Sequence, residues 1–131
     1  AGLVLTRASI RAMSACSESI KCGDIRGNPG IRLKHASGAS AEILTHGAHV
    51  VSWAPGSGAA PALFLSEKAK LGPGESVRGG IPVCFPQFGP RGPLPQHGFC
   101  RRSDDWVVSA ADVLPNGDAR AVFSLVDTPA T

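Results

Sequence analysis

Apolar and polar residues alternate along this chain in short bursts, and nowhere for long at helical spacing. Ile31-Arg32-Leu33-Lys34 alternates strictly, which predicts a strand with one covered face. Ala41 to Trp53 reads as a longer β-like run through Ile43, Leu44, Val50, Val51 and Trp53. Gly47 interrupts that run within Thr45-His46-Gly47-Ala48-His49, as expected of a bulge or tight hairpin bend. Pro55 to Pro61 reads as a loop, Leu63-Phe64-Leu65 as a short strand and Trp106-Val107-Val108 as another. After the turn Pro115-Asn116-Gly117-Asp118, alternation resumes from Ala119 to Val126. Glu67 to Leu71 has room for one helical turn before Gly72-Pro73-Gly74 stops it. The pattern predicts an all-β protein, an antiparallel β-sandwich or part of one.

Composition narrows the class. A chain of 131 residues is one domain at most. The net charge of +3 is spread among acidic residues, which argues against a nucleic-acid surface. Every apolar run is broken well short of the ~20 residues that cross a bilayer, so the chain reads as soluble, without a membrane partner. Cys16, Cys22, Cys84 and Cys100 show no CxxC pair and no ligand-spaced histidines, which leaves no metal site in the pattern. Cys16 and Cys22 fall in what reads as an irregular N-terminal region, and free thiols in a reducing compartment are expected. Ala1 to Ser17 lacks acidic residues but carries Arg7, Arg11 and several hydroxyls. That composition suits a transit peptide, with Ile10-Arg11-Ala12 as its processing site, or a disordered terminus. Residues 1–20 are set aside on this ground, and 21–131 are read as the folded part, in the chloroplast or the cytoplasm.

The segment from Arg78 to Arg102, RGGIPVCFPQFGPRGPLPQHGFCRR, fits no regular element. Proline removes backbone donors and biases each preceding residue to extended geometry, so Ile81 to Pro95 is expected as a structured loop. Its phenylalanines suggest that the loop is partly buried. Gly79 and Gly80 are expected to leave space for a ligand beside Arg78. Gln96, His97 and Arg101 add an amide, an imidazole and a guanidinium close together. These groups suit a polyhydroxylated, anionic small molecule, since arginine forks match phosphate oxygens and the others exchange hydrogen bonds with hydroxyls. The competing reading is that such arginines tie down loops through backbone carbonyls.

Val77-Arg78-Gly79-Gly80-Ile81-Pro82-Val83-Cys84-Phe85-Pro86-Gln87-Phe88-Gly89, followed by Leu94-Pro95-Gln96-His97-Gly98-Phe99-Cys100-Arg101, resembles the signature of the glucose-6-phosphate 1-epimerase family. These are hexose-6-phosphate mutarotases of the aldose 1-epimerase superfamily, with apospory-associated protein C-like members in plants. Thr45 to Trp53 resembles the family's early strand, and Leu63 to Ala69 its lead-in to the arginine. The resemblance runs roughly from Asn28 to Val108.

It implies a galactose mutarotase-like supersandwich of which this chain is the N-terminal part, a monomer when complete. It also implies a cofactor-free isomerase acting on a hexose 6-phosphate. Arg78, Gln96 and Arg101 are then substrate contacts, and His97 lies against the sugar. Cys100 stands where alanine is usual and Arg102 where asparagine is commoner, which leaves the role of Arg102 open. The proton-transfer pair of the family, a histidine and a glutamate, is expected beyond Thr131. Glu42, Glu67 and Glu75 read as solvated surface, His46 and His49 as structural, and His35 as exposed. The alternative is a non-catalytic sugar-phosphate binder or an inactive fragment.

Overall fold

The computed structural model describes residues 17–128. The transit-peptide-like stretch, Ile10-Arg11-Ala12 within it and Cys16 lie outside the described residues. Strands β1 (Ile20–Ile25), β2 (Asn28–Lys34), β3 (Ser40–Leu44) and β4 (Val50–Ala54) form an antiparallel sheet in the order β1-β2-β3-β4. Strands β5 (Val107–Val113) and β6 (Ala119–Ser124) form a second, two-stranded antiparallel sheet. The expected all-β sandwich class is what the chain adopts.

Side chains alternate across a strand, so the larger sheet buries a different apolar set on each face. Ile31 lies opposite Cys22 and Ile43, and Leu33 opposite Ile20 and Ala41. On that side Ile20 and Ile31 pack with Val108 of the β5–β6 hairpin, bordered by Leu33, Ala111, Ala119, Ala121 and Phe123. Ile25, Leu44, Val51 and Leu71 form the other core, with Leu65, Ala69 and Val77 against it. This second cluster carries the functional corner, because Leu65 and Val77 belong to the loops that flank Arg78. Two ion pairs join residues directly opposite each other, Arg32–Glu42 between β2 and β3 and Arg120–Asp112 between β5 and β6, both at 2.7 Å. Both are half exposed and serve register more than stability.

Several expectations change. β1 was not anticipated: it opens at Ile20, inside the stretch set aside, and holds Cys22, which therefore sits in a strand. The link to β2 is the two-residue turn Arg26-Gly27, with φ of 49° and 82°, the geometry of a tight hairpin achieved without the usual Asn-Gly. Leu63-Phe64-Leu65 contributes one bridge, Leu65 to Gly79, and one hydrogen bond, from Gly80 to the Phe64 carbonyl, and forms no strand. Glu67 to Leu71 makes a turn at most, as Ser66 caps its own short bend through Lys68 and Ala69. The run from Ala41 to Trp53 does fold as a hairpin bent at Gly47.

Ile31 is fully buried between the two sheets. Ile31→Ala is expected to cost about 2–5 kcal/mol, read as a lower urea midpoint at unchanged slope.

Candidate functional site

The corner is organised by the 3-10 turn His46–Ala48 that joins β3 to β4. Thr45 anchors it, donating from both its amide and its hydroxyl to the Pro29 carbonyl at 3.0 and 2.8 Å. Gly47 has a φ of 66°, and a Cβ there would sit 2.5 Å from the Arg101 carbonyl oxygen. Its amide donates to Ser103 at 2.9 Å, so the second 3-10 turn, Cys100–Arg102, lies directly on the first. One small residue thus seats the C-terminal end of the proline-rich segment.

The two histidines of this turn are buried, and both reach the segment before Ile81. His46 Nε2 donates to the Glu75 carbonyl at 2.8 Å, and its Nδ1 lies 2.8 Å from Asp104 Oδ1. His49 Nε2 donates to the Gly79 carbonyl at 2.7 Å. Its Nδ1 then holds a lone pair, buried with no partner among the described residues. Burial of this ring, 1% exposed, pushes its pKa below the ordinary 6.5, against a smaller opposing effect of the Gly79 bond. The expectation that both histidines are structural therefore holds in position, with a partner within bonding distance of each nitrogen of His46 but of only one of His49 among the described residues.

Gly79 and Gly80 do not make room for a ligand, contrary to the sequence expectation. A Cβ on Gly79 would meet the Phe64 carbonyl, and one on Gly80 the Val50 carbonyl and the His49 ring. Their φ values of 118° and 66° also favour glycine. The space is occupied by the protein's own backbone: Ile81 and Val50 exchange hydrogen bonds at 2.8 and 3.3 Å, Gly80 donates to Phe64 at 2.8 Å and Ser66 donates to Arg78 at 3.0 Å. The Arg78 side chain is left pointing out. It is exposed, and among the described residues its guanidinium makes no hydrogen bond or ion pair.

From Ile81 onward the loop is held by polar side chains. Gln87 is its hub, donating to the carbonyls of Gly89, Leu94 and Pro95 and accepting from the Leu94 amide. Phe85 bridges Gly98, where a Cβ would strike the Phe85 carbonyl. Phe85 and Phe88 stay 58% and 75% exposed, so the order of the loop comes from hydrogen bonds and not from burying its aromatics. The edge of Phe88 does meet the His97 ring, at 4.9 Å between centroids.

His97 sits at a φ of 67° and is bound to Gly89 twice. Its amide donates to the Gly89 carbonyl at 3.0 Å, and its Nδ1 accepts from the Gly89 amide at 3.1 Å. An accepting Nδ1 places the proton of the neutral ring on Nε2, which becomes a free donor. Arg101 donates from one terminal nitrogen to the Gln96 carbonyl at 3.0 Å, while its Nε is buried without a partner among the described residues. Arg102 donates to the Gly74 carbonyl at 2.8 Å, which is the loop-tying role, and this gives the residue a structural place. The structure thus joins Gln96, His97 and Arg101 in one short segment and docks it and the Arg78 segment on the same turn. No hydrogen bond links the Arg78 side chain to the other three.

The remaining chemistry is engaged elsewhere. Glu42 pairs with Arg32 and Glu75 with Lys70, at 2.7 and 3.6 Å, and Glu67 is exposed. His35 is half buried and bonded to Ser37. An open groove of about 540 Å³ between Trp53 and the tip of the β5–β6 hairpin shares no residue with the Arg78 or Gln96–Arg101 segments.

The chain is an antiparallel β-scaffold of the β-sandwich class that presents two arginines, an amide and an imidazole on ordered loops. Residues 29–131 match the aldose 1-epimerase family, and the chain belongs to it. It is 41% identical over 99 residues to a protein of Cenchrus ciliaris named "putative glucose-6-phosphate 1-epimerase", covering 75% of this chain and 30% of that protein. A protein of the same name from Salmonella typhimurium is 38% identical over 93 residues, covering 70% of this chain and 31% of its own length. The crystal structure of "a putative mutarotase (YeaD)" from Salmonella typhimurium superposes with a TM-score of 0.73 at 29% identity, over 92% of this chain and 42% of that one. The chain therefore spans under half the length of each of these proteins.

The depressed His49 pKa gives a signed pH dependence. The unfolded chain takes up this proton more readily, so the contribution is full above 6.5 and is lost as pH falls toward the lower folded value. Urea titrations from pH 8 to pH 5 are expected to show falling stability, with a shallower fall in His49→Gln than in the parent chain.

Proposed function

We propose that this chain forms the substrate-binding part of an enzyme that interconverts the α and β anomers of a hexose 6-phosphate, with glucose 6-phosphate as the substrate. The observation that carries the reading is the free Arg78 guanidinium, exposed on a backbone that is pinned on both sides. Membership of the aldose 1-epimerase family supports sugar anomer interconversion, and the names of the two relatives support the 6-phosphate.

In this reading Arg78 and Arg101 take the phosphate, where a guanidinium fork offers paired, charge-assisted hydrogen bonds. A ligand oxygen beside Arg101 also supplies the partner that its buried Nε lacks. Gln96 binds a hydroxyl. The Nε2–H of His97 donates to the sugar, orienting and polarising it.

Mutarotation needs a base to take the proton of the anomeric hydroxyl and an acid to protonate the ring oxygen. The ring C1–O bond then breaks, the C1–C2 bond rotates, and the reverse transfers close the ring on the other face. Apart from the ring bond that opens and re-forms, the steps are proton transfers with no change of oxidation state, so the reaction calls for no redox or group-transfer cofactor. The carboxylates Glu42 and Glu75 are engaged in ion pairs, and we assign the proton-transfer pair to the part of the family domain outside the matched stretch. That same observation favours a second reading, a chain that binds the sugar phosphate without turning it over.

Calorimetric titration separates ligand classes. Arg78→Ala and Arg101→Ala are each expected to weaken glucose 6-phosphate about 10- to 100-fold while changing glucose little. Equal loss for both sugars contradicts the phosphate assignment. Anomer exchange by the longest natural form of the protein, followed by NMR, decides between enzyme and binder and is expected to be unaffected by chelator.

A further inference from the structure

The two histidines of the His46–Ala48 turn and its following residue hold two carbonyls of one short stretch. His46 Nε2 donates to the Glu75 oxygen and His49 Nε2 to the Gly79 oxygen. Arg78 lies between them. Val77 packs against the core formed by Ile25, Leu44, Val51 and Leu71, and the Arg78 carbonyl accepts from Ser66. The carbonyls of Glu75, Arg78 and Gly79 are therefore engaged, while among the described residues the Arg78 guanidinium makes no hydrogen bond or ion pair.

We propose that His46 and His49 are positioning residues that act as a two-point clamp, holding the Glu75–Gly79 backbone so that the Arg78 guanidinium is presented to an anionic group. The clamp rests on the reading of Arg78 as an anion contact. The physical reason for imidazoles is reach with rigidity. A buried ring places one N–H on a carbonyl in a neighbouring loop with few torsions to freeze, where lysine or arginine would bring a charge into the core. Among the described residues the stretch has no ladder of its own from Glu75 to Arg78, so without the rings its backbone regains conformational freedom. A ligand must otherwise supply that ordering when it binds, at the expense of its affinity. Asp104, on the segment after the second 3-10 turn, orients the His46 ring through its Nδ1.

Amide hydrogen exchange tests the clamp without a ligand, and binding tests its consequence. In His49→Leu the amides of Ser66 and Gly80 are expected to exchange about tenfold faster while those of β2 keep their protection. His49→Gln, which retains a side-chain N–H, is expected to restore most of the difference. Glucose 6-phosphate and inorganic phosphate should both bind about tenfold more weakly to His49→Leu than to the parent, with glucose nearly unchanged. Should the leucine variant fail to fold, Asp104→Ala, at a half-exposed site, is expected to speed Ser66 and Gly80 exchange about threefold.

Uniform acceleration across β2 and the clamped stretch, or unchanged exchange at Ser66 and Gly80 in the folded variants, overturns the proposal. So does undiminished glucose 6-phosphate affinity in a variant whose exchange has risen. A parent chain that binds neither anion defeats the reading of Arg78, and exchange still decides whether the histidines hold the backbone.

Discussion

His49 donates to the Gly79 carbonyl at 2.7 Å and His46 to the Glu75 carbonyl at 2.8 Å, and the functional corner depends on this pair of bonds. A proline- and glycine-rich segment cannot join a sheet along its length, yet its carbonyls still need partners when the chain folds over them. Here side chains supply what a ladder would supply elsewhere. Gln87 serves three carbonyls, Arg102 serves Gly74, Arg101 serves Gln96, and the two histidines serve the stretch that carries Arg78. The loops gain order without losing their exposed groups.

The sheet beneath is built to support that corner. Its outer face packs against the β5–β6 hairpin through Ile20, Ile31 and Val108, and its other face buries Leu44 and Val51 with Leu71. Burial of these side chains, at roughly 25 cal/mol per Å² of apolar surface, outweighs the exposed ion pairs at the strand edges. Because Val77 and Leu65 share the second core, the packing that stabilises the sheet also sets the height of the arginine loop. Stability and site are coupled through that cluster.

Much of this was legible in the residues themselves. Alternation located β2, β3, β4 and β6, and the bend at Gly47 followed from a glycine inside a β-like run. The signature around Arg78 and Gln96-His97-Gly98-Phe99-Cys100-Arg101 carried the family. β1 was missed because Arg26-Gly27 is an uncommon pair for a tight hairpin and because its first residue, Ile20, fell within the residues set aside as non-structural. Gly79 and Gly80 were misassigned for another reason. A glycine marks a close approach without saying what approaches, and here it is the Phe64 and Val50 backbone with the His49 ring.

The sequence by itself determined the all-β class, most strand positions, the order imposed on the loop by proline, and the chemical types gathered near Arg78 and Arg101. These follow from local sterics and from side-chain alternation, which act between near neighbours in the chain. Only the tertiary structure decided which histidine nitrogen meets which carbonyl, that Arg102 is tied to Gly74 while Arg78 is free, and that His97 offers Nε2–H. Those outcomes join residues up to 58 positions apart, as His46 and Asp104 are. Hydrogen-bond direction and burial are properties of the folded neighbourhood, and no window of sequence contains that neighbourhood.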